Sequence, residues 1–109
     1  MSSDRVTEVT SWVEHAKARL LSTGELFEQV GGGRAPARSE TFRQASAELH
    51  RAEQARNRLL VEMVGDAEAV PHAVAQQLGL TGRHAASLLR VSRTGSERLR
   101  NYTFGLLNS

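Results

Sequence analysis

The sequence lacks cysteine and has few aromatic residues. The absence of cysteine excludes a disulfide framework, a thiol nucleophile and any Cys-ligated zinc or iron–sulfur site. Only 5% of the 109 residues are aromatic. A single core in so short a chain stabilises the fold modestly, so association with a partner becomes a possibility to test.

Long apolar runs and catalytic motifs are also missing. No run approaches the roughly 18 apolar residues that a membrane-spanning helix needs, and residues 1–5 lead into no apolar segment of a signal peptide. The histidines, at positions 15, 50, 72 and 84, show neither HxxxH nor HExxH spacing, and no Ser/His/Asp grouping stands in a nucleophile context. We therefore expect a cytoplasmic protein that is not an enzyme, with no metal, no cofactor, no small-molecule substrate and no membrane partner.

The charge is unevenly distributed along the chain. The formal net charge is +2, and all but one of the 14 basic residues are arginine, the exception being Lys17. Residues 1–69 carry nine basic and eleven acidic side chains, whereas residues 70–109 carry five arginines and a single acid, Glu97. Such an excess at one end is expected where that end meets a polyanion, although it also arises by chance on a solvated surface.

The N-terminal part predicts helices and no strand. Small or apolar residues spaced by three and four predict a helix over about 4–22, capped by Ser3 or Asp4, and a shorter helix near 25–30. These residues are Val6, Val9, Val13, Ala16 and Leu20. Residues 31–36, Gly-Gly-Gly-Arg-Ala-Pro, predict a loop and lack the Gly-Lys-Ser/Thr ending of a phosphate-binding loop.

A second long helix is predicted over 40–64, with Ser39 as its N-cap and Gly65 just beyond its C-terminus. Its stripe consists of Phe42, Ala45, Leu49, Ala52, Arg56, Leu59 and Met63. Arg56 interrupts this stripe, so we expect it either to extend outward or to pair with an acid such as Glu14, across the hairpin or in a second copy. Two such helices joined by a loop indicate an antiparallel hairpin that packs on the C-terminal helices, on a second copy, or on both.

Residues 71–90 place residue types where a helix-turn-helix needs them. Ala75 is small enough for close helix approach, Gly79 can take the positive φ of the turn, and Thr81 can cap the second helix. Val74, Leu78 and Leu80 supply an apolar wedge under the turn, and Ala85 and Leu88 return the second helix to the core. An αα-corner that binds nothing remains the alternative for this segment.

These residues carry a resemblance to a known class. Residues 71–90 resemble the helix-turn-helix of bacterial transcription regulators of the IA-x-x-LG-[LV]-[ST] type, and the wider span 40–90 resembles small actinobacterial and phage helix-turn-helix proteins. The likeness covers about half of the chain. Gly82 departs from it, since these proteins usually have a polar residue there. The residues that carry the likeness are Ala47 to Leu60, Val74, Ala75, Leu78, Gly79, Leu80, Thr81 and Ala85.

The resemblance implies that a recognition helix of about 81–92 enters the DNA major groove by its N-terminal end. Arg83 is then expected to read guanine through O6 and N7, and Ser87 to contact a base edge or a phosphate. Phosphate contacts are expected from His84 and Arg90 and from the backbone amide of Thr81 or Gly82. The remaining expected DNA contacts are His72 and Gln76 on the preceding helix, and Arg93, Arg98 and Arg100 beyond the recognition helix.

One further helix is expected in residues 92–107, capped by Ser96 or Thr94, with an apolar side that packs in the core or, as the alternative, contacts a second copy. That apolar side consists of Leu99, Tyr102, Phe104 and Leu106. The sequence thus predicts an all-α protein in which residues 1–65 form a dimerising helical hairpin and residues 66–109 a helix-turn-helix region. We expect a nucleoid-associated homodimer that binds double-stranded DNA sequence-specifically as a small transcription regulator. The alternatives are a helical protein–protein interaction module and an architectural or segregation protein that binds DNA loosely.

Overall fold

The computed structural model describes residues 2–24 and 39–105, and every regular element within them is an α-helix. In chain order the helices are α1 (Ser2–Ser22), α2 (Glu40–Val64), α3 (His72–Gln77), α4 (Gly82–Thr94) and α5 (Glu97–Phe104). The predicted all-α class is confirmed. The expected short helix near 25–30, the glycine-rich loop 31–36 and the C-terminal Leu106 lie outside the described residues. None of the described helices is long and apolar enough to cross a membrane.

The ends of α2 follow directly from local sequence. Ser39 Oγ accepts a hydrogen bond from Phe42 N at 3.1 Å, which satisfies one of the free amides at the helix start. At the other end Gly65 has a φ of 60° and donates its N–H to Val61 O at 3.0 Å. The predicted bounds of this helix are therefore confirmed, as is the predicted end of α1 at Ser22.

Helices α1 and α2 pack against each other in antiparallel directions. Arg5 near the start of α1 forms an ion pair with Glu62 near the end of α2, and Arg19 near the end of α1 bonds Glu48 at 2.5 Å. The seam between them buries Val13, Ala16 and Ala52. The two alanines allow the helix axes to approach closely.

The main core lies where the end of α2 meets α3 and α4. Leu60 is completely buried at its centre. The other buried members come from α2, from α3 and the residues after it, and from α4, while Val6 and Val9 of α1 pack against them. The buried members besides Leu60 are Leu59, Val64, Ala75, Leu78, Leu80, Ala85, Leu88 and Leu89. The long helices thus pack on the C-terminal helices, which is one of the arrangements that the sequence predicts.

Within the chain as far as it is described, the side chain of Arg56 neither extends outward nor pairs with an acid. It is only 7% exposed, so it does not extend outward. Its Nε and Nη2 donate to Asn57 Oδ1 at 3.2 and 3.1 Å. Glu14 pairs instead with Lys17, at 3.9 Å on the same helix. The expected outward orientation and the expected pair with Glu14 within the chain are wrong, because the neighbouring helices pack around this part of α2 and leave only two crevices at Arg56. Pairing with an acid of a second copy stays a prediction.

Helix α5 begins after the predicted cap, Ser96, but only part of its apolar side is buried. Phe104 is buried, whereas Leu99 is 44% and Tyr102 is 67% exposed. The expectation that Leu99 and Tyr102 enter the core is wrong. Successive helical residues are rotated by about 100°, so these two side chains lie about 140° and 200° from Phe104.

Side chains of α2 hydrogen-bond to the end of α5 and thereby hold its orientation. Gln54 Nε2 donates to Tyr102 O at 2.9 Å, and Asn57 Nδ2 donates to Thr103 O at 3.0 Å. Arg58 donates to Phe104 O. Since the last carbonyls of a helix have no partner within it, these bonds hold the end of α5 on α2.

Gly79 ends α3 in a conformation that other residues avoid. Its φ is +71°, and a Cβ added there meets no atom within 4 Å. We expect Gly79→Ala to lower the free energy of unfolding by about 1 kcal/mol, through backbone strain alone. Urea denaturation measures this loss. Gly82→Ala is the control, because Gly82 is a helical residue with similar open space, and its stability is expected to be unchanged or higher. Equal losses in both variants would contradict the assignment of strain to Gly79.

Candidate nucleic-acid interface

The connection between α3 and α4 is held by backbone hydrogen bonds and buried leucines. Leu80 N donates to Ala75 O at 2.9 Å, and Gly79 N donates to Gln76 O at 3.1 Å. Leu78 and Leu80 are buried beneath the connection. Thr81 Oγ1 then accepts from His84 N at 3.0 Å and begins α4. The first turn of α4 is therefore fixed relative to the core, while Thr81 and Gly82 are themselves exposed.

Helix α4 has one buried and one exposed face. Ala85, Leu88 and Leu89 enter the core. The opposite face is exposed, and four of its residues follow one another at intervals of four, three and four positions. We call it the α4 stripe, and it consists of Arg83, Ser87, Arg90 and Thr94. Within the described part of the chain, neither Arg83 nor Arg90 forms an ion pair or a side-chain hydrogen bond, so both guanidinium groups are available to an external partner.

Thr94 belongs to this stripe, although the sequence predicts it only as a possible cap of α5; the cap is Ser96 instead. Thr94 lies four residues after Arg90, so continuing the helical spacing finds it. Its hydroxyl donates to Arg90 O at 2.9 Å and is thus occupied within the helix. His84, an expected phosphate contact, lies on the flank of α4 beside α2 and α5, where it lines a crevice with His50 and Tyr102.

The predicted contacts on α3, His72 and Gln76, are exposed. Gln76 lines a small crevice together with Glu14 and Lys17 of α1. Lys17 is a cation beside the α3–α4 connection that sequence reasoning missed. No local signal identifies it, because only the packing of α1 against the rest brings it there.

Arg93 makes contacts within the protein. Its Nη2 donates to Gly65 O at 3.0 Å and to Ala67 O at 2.6 Å. These bonds hold the segment after α2 against the end of α4 and satisfy two carbonyls outside the helix ladder. The side chain remains exposed, and its expected phosphate contact stays a prediction.

The two arginines of α5 differ in surroundings. Arg98 is exposed, and it forms no ion pair with any residue that the structure describes. Arg100 is half-buried and lines a crevice of about 520 Å³ together with Glu62 and Glu97. Glu62 is already bonded by Arg5, which holds the pKa of that carboxyl below its ordinary value. Arg98 is therefore the freer of the two cations.

The structure thus brings Thr81, Gly82, Arg83, Ser87 and Arg90 onto one continuous exposed end and face of α4. It places His84 on a flank, Arg93 against its own backbone and Arg100 in a crevice. In residues 2–24 and 39–105 no three His, Asp or Glu side chains come together as metal ligands. Comparisons with protein-family models, with curated proteins and with solved structures found no match for this chain.

Proposed function

We propose that α3 and α4 form a helix-turn-helix and that the chain binds double-stranded DNA sequence-specifically. In this proposal α4 is the recognition helix and α3 lies across the sugar–phosphate backbone. The residues assigned to base recognition are Arg83 and Ser87, and those assigned to phosphate are Arg90 and the exposed end of α4 at Thr81 and Gly82. The resemblance of residues 71–90 to bacterial regulators supports the same role, that of a small nucleoid-associated transcription regulator.

The observation that carries the proposal is the α4 stripe. Two arginines lie on the exposed face of a helix whose other face is fixed in the core, and neither forms an ion pair with a described acid. The acid Glu68 lies near this face, since it lines a crevice together with Arg90. A guanidinium in this position can donate two parallel hydrogen bonds to guanine, and a rigid helix holds it in register with the groove. The positive excess of residues 70–109 adds a favourable field.

A homodimer is part of the proposal because one helix-turn-helix makes few base contacts. Two copies on half-sites about 34–36 Å apart would double them. The apolar residues of α1 that are spaced by three and four pack within the chain, since Val13, Ala16 and Leu20 are buried. Among the described residues, the large apolar side chains left for a second copy are Trp12 and Leu21 on α1, and Leu99 and Tyr102 on α5.

Mobility-shift titration with duplex DNA at increasing salt tests the proposal. Each phosphate neutralised by an arginine releases about 0.9 counterion, so four to six contacts per copy predict a steep linear fall of log K with log salt. Between about 50 and 200 mM salt the affinity of a dimer is expected to fall at least about 1,000-fold. The mass of the free protein, from light scattering, reports the dimer.

Two outcomes would reject DNA binding: no complex with any member of a random duplex library, or a complex whose affinity does not change with salt. Retained salt dependence without any preference among sequences would instead favour the architectural role.

A helical interaction module is the second candidate function. The observation that favours it is the exposure of Leu99 and Tyr102 next to each other on α5. Isolated exposed apolar side chains are common on protein surfaces, whereas two arginines without ion pairs on one face of a rigid helix favour a polyanion. The stripe therefore gives DNA binding the stronger support.

A further inference from the structure

Arg56 is largely buried, which is rare for an arginine side chain. It occupies a position in the apolar stripe of α2 and is 7% exposed. The guanidinium donates to Asn57 Oδ1 through Nε and Nη2. Nη1 has no protein acceptor among the described residues, and since no buried side-chain nitrogen there lacks a hydrogen bond, Nη1 is in contact with solvent. No described carboxylate lies within 4.0 Å of it. Burial lowers the pKa of Arg56, because removing the guanidinium from water disfavours its charged form.

A buried charge without a paired acid is among the costliest arrangements in a protein interior. A methionine or leucine would fill the same stripe without this cost. Glu53 compensates the charge only in part, since it acts on Arg56 from beyond ion-pair distance. An anion bound at Arg56 would supply the missing negative charge.

A crevice of about 210 Å³ is available for such an anion. It lies between α2, the first turns of α4 and the end of α5, and Arg56 is part of its lining. Asn57 lines the same crevice, so the guanidinium bonded to it lies at this side. Arg56 also borders a smaller crevice of about 150 Å³ beside α1 and α3, which Asn57 does not reach.

Other donors surround this crevice. The imidazole of His84 and the hydroxyl of Tyr102 line it, and within the described residues neither of these groups has a hydrogen-bond partner. The wall is held in place because Asn57 donates to Thr103 O at 3.0 Å and Gln54 donates to Tyr102 O at 2.9 Å. The carboxylate residue Glu53 also lines the crevice. A fixed wall that offers unused donors and a guanidinium against this single carboxylate favours a bound anion.

We propose that this crevice binds a small oxyanion, the carboxylate or phosphate group of a small molecule, with Arg56 as its charge partner. The volume lies below the range of roughly 300–1,000 Å³ that holds drug-sized ligands, so the ligand is a compact one. This inference goes beyond DNA binding and does not depend on it, because its test contains no nucleic acid.

Thermal unfolding with acetate or inorganic phosphate as probe, against chloride at equal ionic strength, tests this site. We expect saturating probe to raise the Tm of the wild-type chain by about 5 °C or more, and the more effective probe identifies the oxyanion class. Arg56→Met is expected to lose this response and to unfold, without probe, at a Tm equal to or above that of the wild type. Arg51→Met is the matched control, since Arg51 is an exposed arginine on the same helix, and it should respond as the wild type does.

Amide chemical shifts of the wild-type chain provide a second measurement that needs no variant. Saturable shifts during the same titrations are expected at Asn57, His84 and Tyr102. The proposal is overturned if neither probe raises the Tm of the wild type, if Arg56→Met responds equally, or if the shifts are spread evenly over the exposed arginines.

Discussion

Replacing Leu60 by alanine is expected to lower the free energy of unfolding by about 3–5 kcal/mol. Among the large side chains that the structure describes, Leu60 is the one that is completely buried. It lies where α2 meets α3 and α4, so the truncated site is bordered by several helices and cannot collapse easily. Both the lost transfer energy and the remaining cavity contribute to the effect.

The expected loss is large compared with the total stability of a small domain, about 5–15 kcal/mol. Urea denaturation followed by circular dichroism measures it, provided that the dependence on denaturant keeps the same slope. Leu21→Ala is the matched control, because Leu21 is 48% exposed on α1. This control is expected to cost less than about 1 kcal/mol. A similar loss in both variants would show that the core does not centre on Leu60.

The second large effect concerns Arg83 and rests on the proposed DNA binding. Arg83→Ala is expected to weaken binding to the preferred duplex by about 10- to 100-fold, because a bidentate contact with guanine discriminates by about 1–3 kcal/mol. Binding to unrelated duplexes should change much less, so the preference among sequences relaxes. Competition mobility shifts with the selected site and with scrambled DNA measure both quantities.

Arg98→Ala supplies the contrast, since Arg98 is exposed on α5 and assigned to phosphate. It should weaken binding by a similar factor on every duplex and reduce the salt slope by about one. Equal losses on all sequences from both variants would reject the assignment of Arg83 to base recognition. Circular dichroism of both variants should match the wild type, because neither side chain contacts the core.

Helix ends could be predicted because the groups that determine them are close in sequence. Ser39, Thr81 and Ser96 each accept a hydrogen bond from the amide three residues later, and Gly65 and Gly79 take the positive φ that ends a helix. The α4 stripe was predictable for the same reason, since the spacing of Arg83, Ser87 and Arg90 specifies one face once the helix is known.

Contacts between distant segments could not be predicted in this way. The exposure of Leu99 and Tyr102 depends on how α2 holds the end of α5, and the position of Lys17 beside the α3–α4 connection depends on α1. Likewise, Arg93 contacts carbonyls that precede it by more than 25 residues. The helical period shows which side chains share a face, but it does not show what that face meets.

The sequence by itself determined the described helices, the N-caps of α2, α4 and α5 and the residues that share each face, because these depend on dihedral preferences and hydrogen bonds within a few residues. The expected cap of α1 at Ser3 or Asp4 is wrong, since α1 already begins at Ser2. Only the tertiary structure decided that Arg56 is buried without an ion pair and that a crevice lies beside it. Burial and charge compensation are properties of packed surfaces from several helices, and they arise only when α2, α4 and α5 come together.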